Sequence, residues 1–486
     1  MRKILLSLLV LVAMLVNVFA MTSCNMFGSD DEENYEKATY DVPAEGYDGS
    51  AVTIEFYSTM GKKLQAVLDT YIAEFNKIYP KITVSHTSVG SYDDVRDQIK
   101  TQLTANNQPN IAYCYPDHVA AYNVAKAVVP LDNFIDSTIT VTRADGTNET
   151  LGLTAEQKAD FIEGYYKEGT GFDKAGTMYT LPLSKSTEAL YYNKTFFDQN
   201  GLSVPKTWDE MEALCRRIKE IDPTCVPLGY DSEANWFISM CEQYGVGYTS
   251  LDNGGSFLFD NETTREFVKE FRTWHQDGLV TTEEIYGGYT SGLFTSTEGQ
   301  RCYMVIGSTG GASYQTPPTT GDGVSLFETA MATPPSVDPA NPKVISQGPS
   351  LCLFESENKQ EVVASWLFMK FLTTNVSFQA AFSMESGYAP VIKSVQDNEV
   401  YKNWLNSARG KNTEEGPANI TAMSVKLALA QEKAYFVSPA FNGSSDARDQ
   451  VGLIMQTILV YEGDDVDGAI DKAFKDAIAE CEYALG

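Results

Sequence analysis

From Ala51 onward the chain alternates two hydrophobic periods. Val52 to Ser58 (VTIEFYS) is a short β-rich run, and after Gly61 the residues Leu64, Val67, Leu68, Tyr71, Ile72, Phe75 and Ile78 recur at helical spacing until Pro80 stops them. Residues 81–86 (KITVSH) predict a second strand and residues 92–104 a second helix. A third strand, residues 111–115 (IAYCY), follows the turn signal Asn106-Asn107-Gln108-Pro109. This βαβαβ order predicts a parallel sheet with helices on both faces. Beyond Leu190 the style repeats, with a helix over Trp208 to Ile221, another within residues 257–277 and a buried strand at residues 302–307 (CYMVIG). Thr207 and Glu210 have the spacing of a capping box. Residues 317–342, rich in Pro, Thr and Gly, read as a connection crossing between lobes. The C-terminal third is helical at residues 361–373, 421–434, 446–459 and 467–485. The expected fold class is α/β, two-lobed, with a helical C-terminal region.

The N-terminus breaks this pattern. Arg2 and Lys3 precede an apolar run from Ile4 to Ala20 interrupted only by Ser7 and Asn17, which reads as a secretory signal over residues 1–23. A permanent membrane anchor is the rival reading, and the run lies at the short end of what spans a bilayer. Its ending, Met21-Thr22-Ser23-Cys24, resembles a bacterial lipobox with Met21 in the usual place of Leu, so Cys24 is the expected lipidation site. Residues 24–50 are acidic and nearly free of aliphatic side chains, as a disordered tether would be. Cleavage before Cys24 would remove Arg2 and Lys3 and no acid, taking the formal charge from −29 to −31. A surface this negative repels phosphate backbones and anionic headgroups, which excludes nucleic acid as a partner and leaves the N-terminal lipid as the expected contact with membrane. With 43% hydrophobic residues the chain can nevertheless bury large cores, and its 486 residues suggest two or three domains.

Catalytic signatures are missing. The three histidines (His86, His118, His275) have no metal-site spacing, and no P-loop, dinucleotide or G-x-S-x-G pattern occurs. Asp464 to Gly468 resembles a calcium loop only until Gly463 and Phe474 fall on positions that need acids. The cysteines after Cys24 show no C-x-x-C and read as buried small hydrophobes, with a Cys215–Cys225 pair left open. No enzyme, cofactor or metal is expected; a carboxylate pair suited to glycoside hydrolysis is the enzymatic alternative.

Six segments carry a family likeness: Lys77-Ile78-Tyr79-Pro80-Lys81-Ile82, Val129-Pro130-Leu131-Asp132, Tyr179-Thr180-Leu181-Pro182, Leu190-Tyr191-Tyr192-Asn193-Lys194, Pro205-Lys206-Thr207-Trp208-Asp209-Glu210 and Ser386-Gly387-Tyr388-Ala389-Pro390-Val391. In this order they resemble the extracellular solute-binding proteins, family 1, of bacterial ABC importers, over about residues 51–486. The stretch from Leu181 to Lys194 is similar to the branch that binds sugars and glycerol 3-phosphate. The resemblance implies two α/β lobes joined by crossing strands, which close on a solute and present it to membrane permease subunits. The lobes expected are residues 51–185 with 325–375, and residues 186–324 with 376–486. A monomer outside the cytoplasmic membrane is expected, binding a carbohydrate, with glycerol 3-phosphate or a glycerophosphodiester as the alternative. A secreted carbohydrate-acting enzyme and a structural surface lipoprotein are the readings from other classes.

The resemblance also places ligand contacts at Tyr92, Pro116, Asp117, Ser186, Trp236, Ser308, Gly348, Tyr388 and Arg448. Several lie at C-terminal ends of expected strands, where open α/β sheets bind ligands. Each has a structural alternative. Tyr92 starts a helix, Asp117 caps one, Ser308 opens a turn with Gly310 and Gly311, and Gly348 relieves the backbone at a turn. Trp236 belongs either to the site or, with Phe237, Ile238 and Met240, to a core; Trp274 and Trp366 read as core. Arg448 pairs either with a ligand's oxygens or with Asp446 or Asp449 at the surface.

Overall fold

The structure, a computed structural model, describes residues 36–252 and 255–485. The signal segment, Cys24 and the tether up to residue 35 lie outside the described residues. Among those described, no helix is long and apolar enough to cross a membrane.

Two sheets organise the chain. The first has the order Ile82–Ser88, Val52–Ser58, Ile111–Cys114, Ser350–Leu353, Thr180–Pro182. Its first three strands are parallel, in register from Val52 opposite Ile82, as the βαβαβ pattern predicts. Ser350–Leu353, which returns late in the chain, is antiparallel to both of its neighbours. In Val52–Ser58 the alternating Val52, Ile54 and Phe56 face a core. Helix Lys62–Ile78 buries Leu68 and Phe75 there, the Phe75 ring 5.0 Å from that of Phe368, and stops at Tyr79 before Pro80. A fully buried ring of this kind contributes about 1.5–3 kcal/mol.

The second sheet runs Val280–Thr282, Leu228–Tyr230, Met304–Ser308, Ser186–Asn193, Val344–Gln347, Tyr435–Phe436, with Thr329–Ala332 also on Ser186–Asn193. Its core gathers Leu190, Trp208, Trp236, Phe271 and Trp274 with Ile454 and Phe474 from the last two helices, Ser444–Leu459 and Val466–Leu485. Helix Trp208–Ile221 starts as expected, Thr207 accepting from the Glu210 N–H at 3.2 Å. The Glu210 carboxylate, however, takes the N–H of Lys206 instead of that of Thr207, so the cap is not reciprocal.

Three expectations about chain organisation differ from the structure. Residues 38–50 were expected in the tether, yet Tyr40 is 8% exposed and stacks on Phe134 at 5.6 Å. The Ala38 N–H also reaches Thr177 and the Asn133 amide reaches the Tyr40 carbonyl. A single aromatic with a cavity to fill outweighs the polarity of its neighbours. The return crossing was expected near residue 325, but Thr329–Ala332 and Val344–Gln347 still pair in the second sheet, and the chain crosses at Gly348-Pro349. Prolines and glycines mark an irregular segment without saying which core its flanks join. Finally, residues 376–425 do not all belong with the second sheet. Phe378, Phe382, Val391, Tyr401 and Val425 pack in the first core, because helix Val376–Ser386 lies against helix Lys62–Ile78. Cys215 and Cys225 are free, buried thiols, as are the other five described cysteines.

Candidate functional site

The two sheets meet where the crossings run side by side. Residues 183–185 leave the first sheet for Ser186–Asn193, and Gly348-Pro349 returns beside them, with Ser186 opposite Gln347. Gly348 has φ +99, and a Cβ there would sit 2.7 Å from the Ser184 carbonyl oxygen and 2.9 Å from Lys185 Cα. Only glycine lets the two backbones approach this closely. Gly348→Ala is expected to lower the unfolding free energy by at least about 1–3 kcal/mol; a urea midpoint matching the parent would mean that the crossing has slack.

Under this glycine lies a buried charge pair. Lys185 is 0% exposed, and its Nζ donates to the Glu168 carboxylate, to Ser350 Oγ at 3.0 Å and to the Gly348 carbonyl at 3.2 Å. The Lys185 backbone also pairs with Ala389, N to O 3.0 Å and O to N 2.6 Å. One side chain thus ties the outward crossing, the return crossing and the first lobe together.

A cleft of about 590 Å³, its open mouth included, lies beside the crossings. The first lobe contributes Tyr115, Pro116, Asp117 and Glu168; the second contributes Tyr248, Gln347, Ser444 and Arg448, and Gly348 lies at the junction. Tyr115 follows the third strand and stacks on Tyr92, centroids 4.3 Å apart and planes at 16°. Tyr92 is the first residue of helix Tyr92–Leu103, capped by Ser91 and Asp94, so it both begins a helix and backs the Tyr115 wall of the cleft. Tyr388 lies against Gly310, and its hydroxyl interacts with that of Tyr92. Flat aromatic faces carrying hydroxyls suit the C–H faces and hydroxyls of a polyol.

The polar end is a saturated amide relay. Asn235 donates from Nδ2 to Glu188 Oε1 at 3.1 Å and to Gln347 Oε1 at 2.9 Å, while its Oδ1 accepts from Gln347 Nε2 at 3.0 Å and from Arg448 Nη2. Both hydrogens and both lone pairs are used, which fixes the amide's orientation. Glu188, 2% exposed, takes the Tyr230 hydroxyl on its other oxygen at 2.8 Å. Burial pushes its carboxyl up to about 7, against the hydrogen bonds from Tyr230 and Asn235 and the charge of Arg448. Arg448 has spent one of its five N–H donors on Asn235 and, among the described residues, pairs with no carboxylate; Asp449 instead lies 3.6 Å from Arg96. The Tyr248 hydroxyl lines the cleft, buried and without a protein partner.

Arg96 bridges the two lobes. From helix Tyr92–Leu103 its Nη1 donates at 2.8 Å to Ser445 Oγ on helix Ser444–Leu459 of the other lobe, and Lys174 meets Asp252 at 3.2 Å. The lobes are therefore in contact across the cleft.

Of the residues expected to meet a ligand, Pro116, Asp117, Gly348 and Arg448 line the cleft, with Tyr92 and Tyr388 against its aromatic wall. Asp117 does not cap a helix: Tyr115 is the N-cap and Asp117 sits in the first turn. Trp236 is a correction. It is 0% exposed, stacked 4.8 Å from Tyr230 and 4.0 Å from Phe271, because its side of the helix Glu233–Tyr244 faces the second core. Its neighbour Asn235, 3% exposed, lies behind the lining and holds the cleft residues Gln347 and Arg448. Ser308 accepts from the Gly310 N–H at 3.1 Å and opens a 3-10 turn, and Ser186 is buried in the ladder beside the crossing; neither lines the cleft. Tyr115, Asn235, Tyr248, Gln347 and Glu188 were not anticipated. Only Glu188 left a signal, as a lone acid inside the apolar strand STEALYYN.

Comparison with known proteins bears on this arrangement. Among solved structures, UgpB from Mycobacterium tuberculosis in complex with glycerophosphocholine is similar in fold at TM-score 0.69 and 18% identity, over 90% of this chain and 100% of that one. The maltose/maltodextrin-binding domain MalE from Bdellovibrio bacteriovorus, bound to maltotriose, is similar at TM-score 0.63 and 17% identity, over 89% of this chain and 100% of that one. In sequence, the sn-glycerol-3-phosphate-binding periplasmic protein UgpB of Escherichia coli K12 is 25% identical over 365 residues, 72% of this chain and 76% of that one. The multiple sugar-binding protein of Streptococcus mutans is 27% identical over 195 residues, 40% of either chain. A family model described as bacterial extracellular solute-binding protein matches residues 70–408, most of both lobes and both crossings, and on that match the chain belongs to the bacterial extracellular solute-binding proteins.

Proposed function

We propose that this protein is the solute receptor of an ABC importer, a non-enzymatic lipoprotein held to the outer face of the cytoplasmic membrane through Cys24, which captures a carbohydrate between its lobes and hands it to permease subunits. The observation that carries the reading is the set of unspent donors facing one interlobe cleft: the remaining N–H groups of Arg448, the second N–H of Gln347 and the Tyr248 hydroxyl, opposite the Tyr92–Tyr115 stack. A solute that satisfies donors on one lobe and rings on the other is fully bound only when the lobes are together, so binding and closure are one event. Tyr92, Pro116, Asp117, Gly348, Tyr388 and Arg448, with Tyr115, Tyr248 and Gln347, are the ligand-contacting residues of this reading.

A second reading, a glycerol phosphate or glycerophosphodiester receptor, is favoured by the one observation that Arg448 pairs with no described carboxylate. A thermal-shift panel of residues 25–486 against mono- and oligosaccharides, glycerol 3-phosphate and glycerophosphocholine tests both. A solute at about 100 times its Kd adds roughly 2.7 kcal/mol to stability and raises the melting temperature. A panel in which no solute moves it overturns the receptor reading.

A further inference from the structure

We propose that Glu188 is the residue that sets the charge class of the ligand: acting through Asn235 it holds Arg448 and Gln347 in donor orientation, and its carboxylate offsets the Arg448 charge so that the cleft takes a neutral polyol and refuses a phosphorylated one. This rests on the receptor reading and narrows it.

The geometry supplies both halves of the argument. Glu188 can only accept while ionised, so it compels Asn235 to present Nδ2 toward it and Oδ1 away from it. With Oδ1 turned outward, Asn235 can anchor Arg448 and pair head-to-tail with the Gln347 amide. Reversing the amide would set its donor against the guanidinium. Glu188 itself does not line the cleft; it lies behind Asn235, held on its other oxygen by Tyr230, and is therefore a positioning residue.

The charge count supplies the second half. Lys185 is matched by Glu168, and Arg96 by Asp93, Asp97 and Asp449. Arg448 faces Glu188 behind it, and Asp117 lines the cleft with no cation paired to it among the described residues. Acids thus outnumber bases around the cavity. A neutral sugar takes the free Arg448 donors as hydrogen bonds at no electrostatic cost, whereas a phosphate must be desolvated against an excess of negative charge.

Glu188→Gln separates charge from geometry. The glutamine amide keeps an oxygen for Asn235, and its new NH₂ meets the Tyr230 hydroxyl, which can turn to accept. Glu188→Ala removes the charge and the orientation together. Binding is measured by calorimetry at pH 8, above the value of about 7 to which burial pushes the Glu188 carboxyl, with glycerol 3-phosphate as the anionic probe and the neutral sugars of the panel as the other arm. The expected result is that the parent binds glycerol 3-phosphate weakly or not at all, that Glu188→Gln gains about tenfold or more for it while any neutral-sugar Kd stays within about threefold, and that Glu188→Ala gains nothing. A parent that binds glycerol 3-phosphate as tightly as Glu188→Gln overturns the proposal, and so does Glu188→Ala matching Glu188→Gln. Binding of any panel solute by the parent upholds the receptor reading whatever the variants do, so the two ideas fail separately.

Discussion

Lys185→Ala is expected to lower the unfolding free energy by about 3–5 kcal/mol, the usual cost of leaving one member of a buried ion pair without its partner. Glu168, 4% exposed, would be left with the Ser350 hydroxyl in place of the ammonium. The Gly348 carbonyl and Ser350 hydroxyl would lose their shared donor as well. Urea unfolding of Lys185→Ala, of Glu168→Gln and of the pair Lys185→Met with Glu168→Gln checks this. The double variant should lose much less than Lys185→Ala, because it removes both charges together and leaves none stranded. A loss below about 1 kcal/mol in Lys185→Ala would mean that water reaches the pair. The same side chain holds the outward crossing to the return crossing and to Glu168, so its loss should also loosen the hinge and weaken solute binding in the folded fraction.

Arg448→Ala is expected to reduce affinity for the solute found in the panel by roughly ten- to 150-fold, since a charged hydrogen bond in a cleft is worth about 1.5–3 kcal/mol. Stability without solute should change little, because Arg448 is partly exposed and its hydrogen bond among the described residues is to an Asn235 amide that retains three others. Arg448→Lys should not restore affinity, as an ammonium cannot reach Asn235 and a ligand in the same plane. Isothermal titration calorimetry on the three proteins decides it. Unchanged affinity in Arg448→Ala would make the guanidinium a support for Asn235 and nothing more.

Much of the local structure was legible because it depends on short-range rules. The periodicity of Leu68 and Phe75 ends at Pro80 in sequence and in structure, and the alternation of VTIEFYS marks the strand Val52–Ser58 residue for residue. The cleft residues that came through, Pro116 and Asp117 after a strand and Gly348 in a turn-like segment, lie where strand ends or backbone demands leave a local trace. Trp236 and Asn235 show the limit. They are adjacent in the chain, and only the packing of helix Glu233–Tyr244 against Phe271 and Tyr230 decides which one stacks in the core and which holds the cleft residues Gln347 and Arg448.

The sequence by itself determined that this is an acidic α/β protein behind a signal-like N-terminus, with the motifs of a solute receptor in their family order, because composition, period and motif are properties of neighbours along the chain. Only the tertiary structure decided where the return crossing falls, that residues 376–425 serve largely the first core, and that Arg448 meets Asn235 with Glu188 behind it. Those facts join residues distant along the chain, 213 positions apart for Arg448 and Asn235. Such contacts are set by which apolar faces bury each other and which buried polar atoms must then find partners, and no local pattern encodes that outcome.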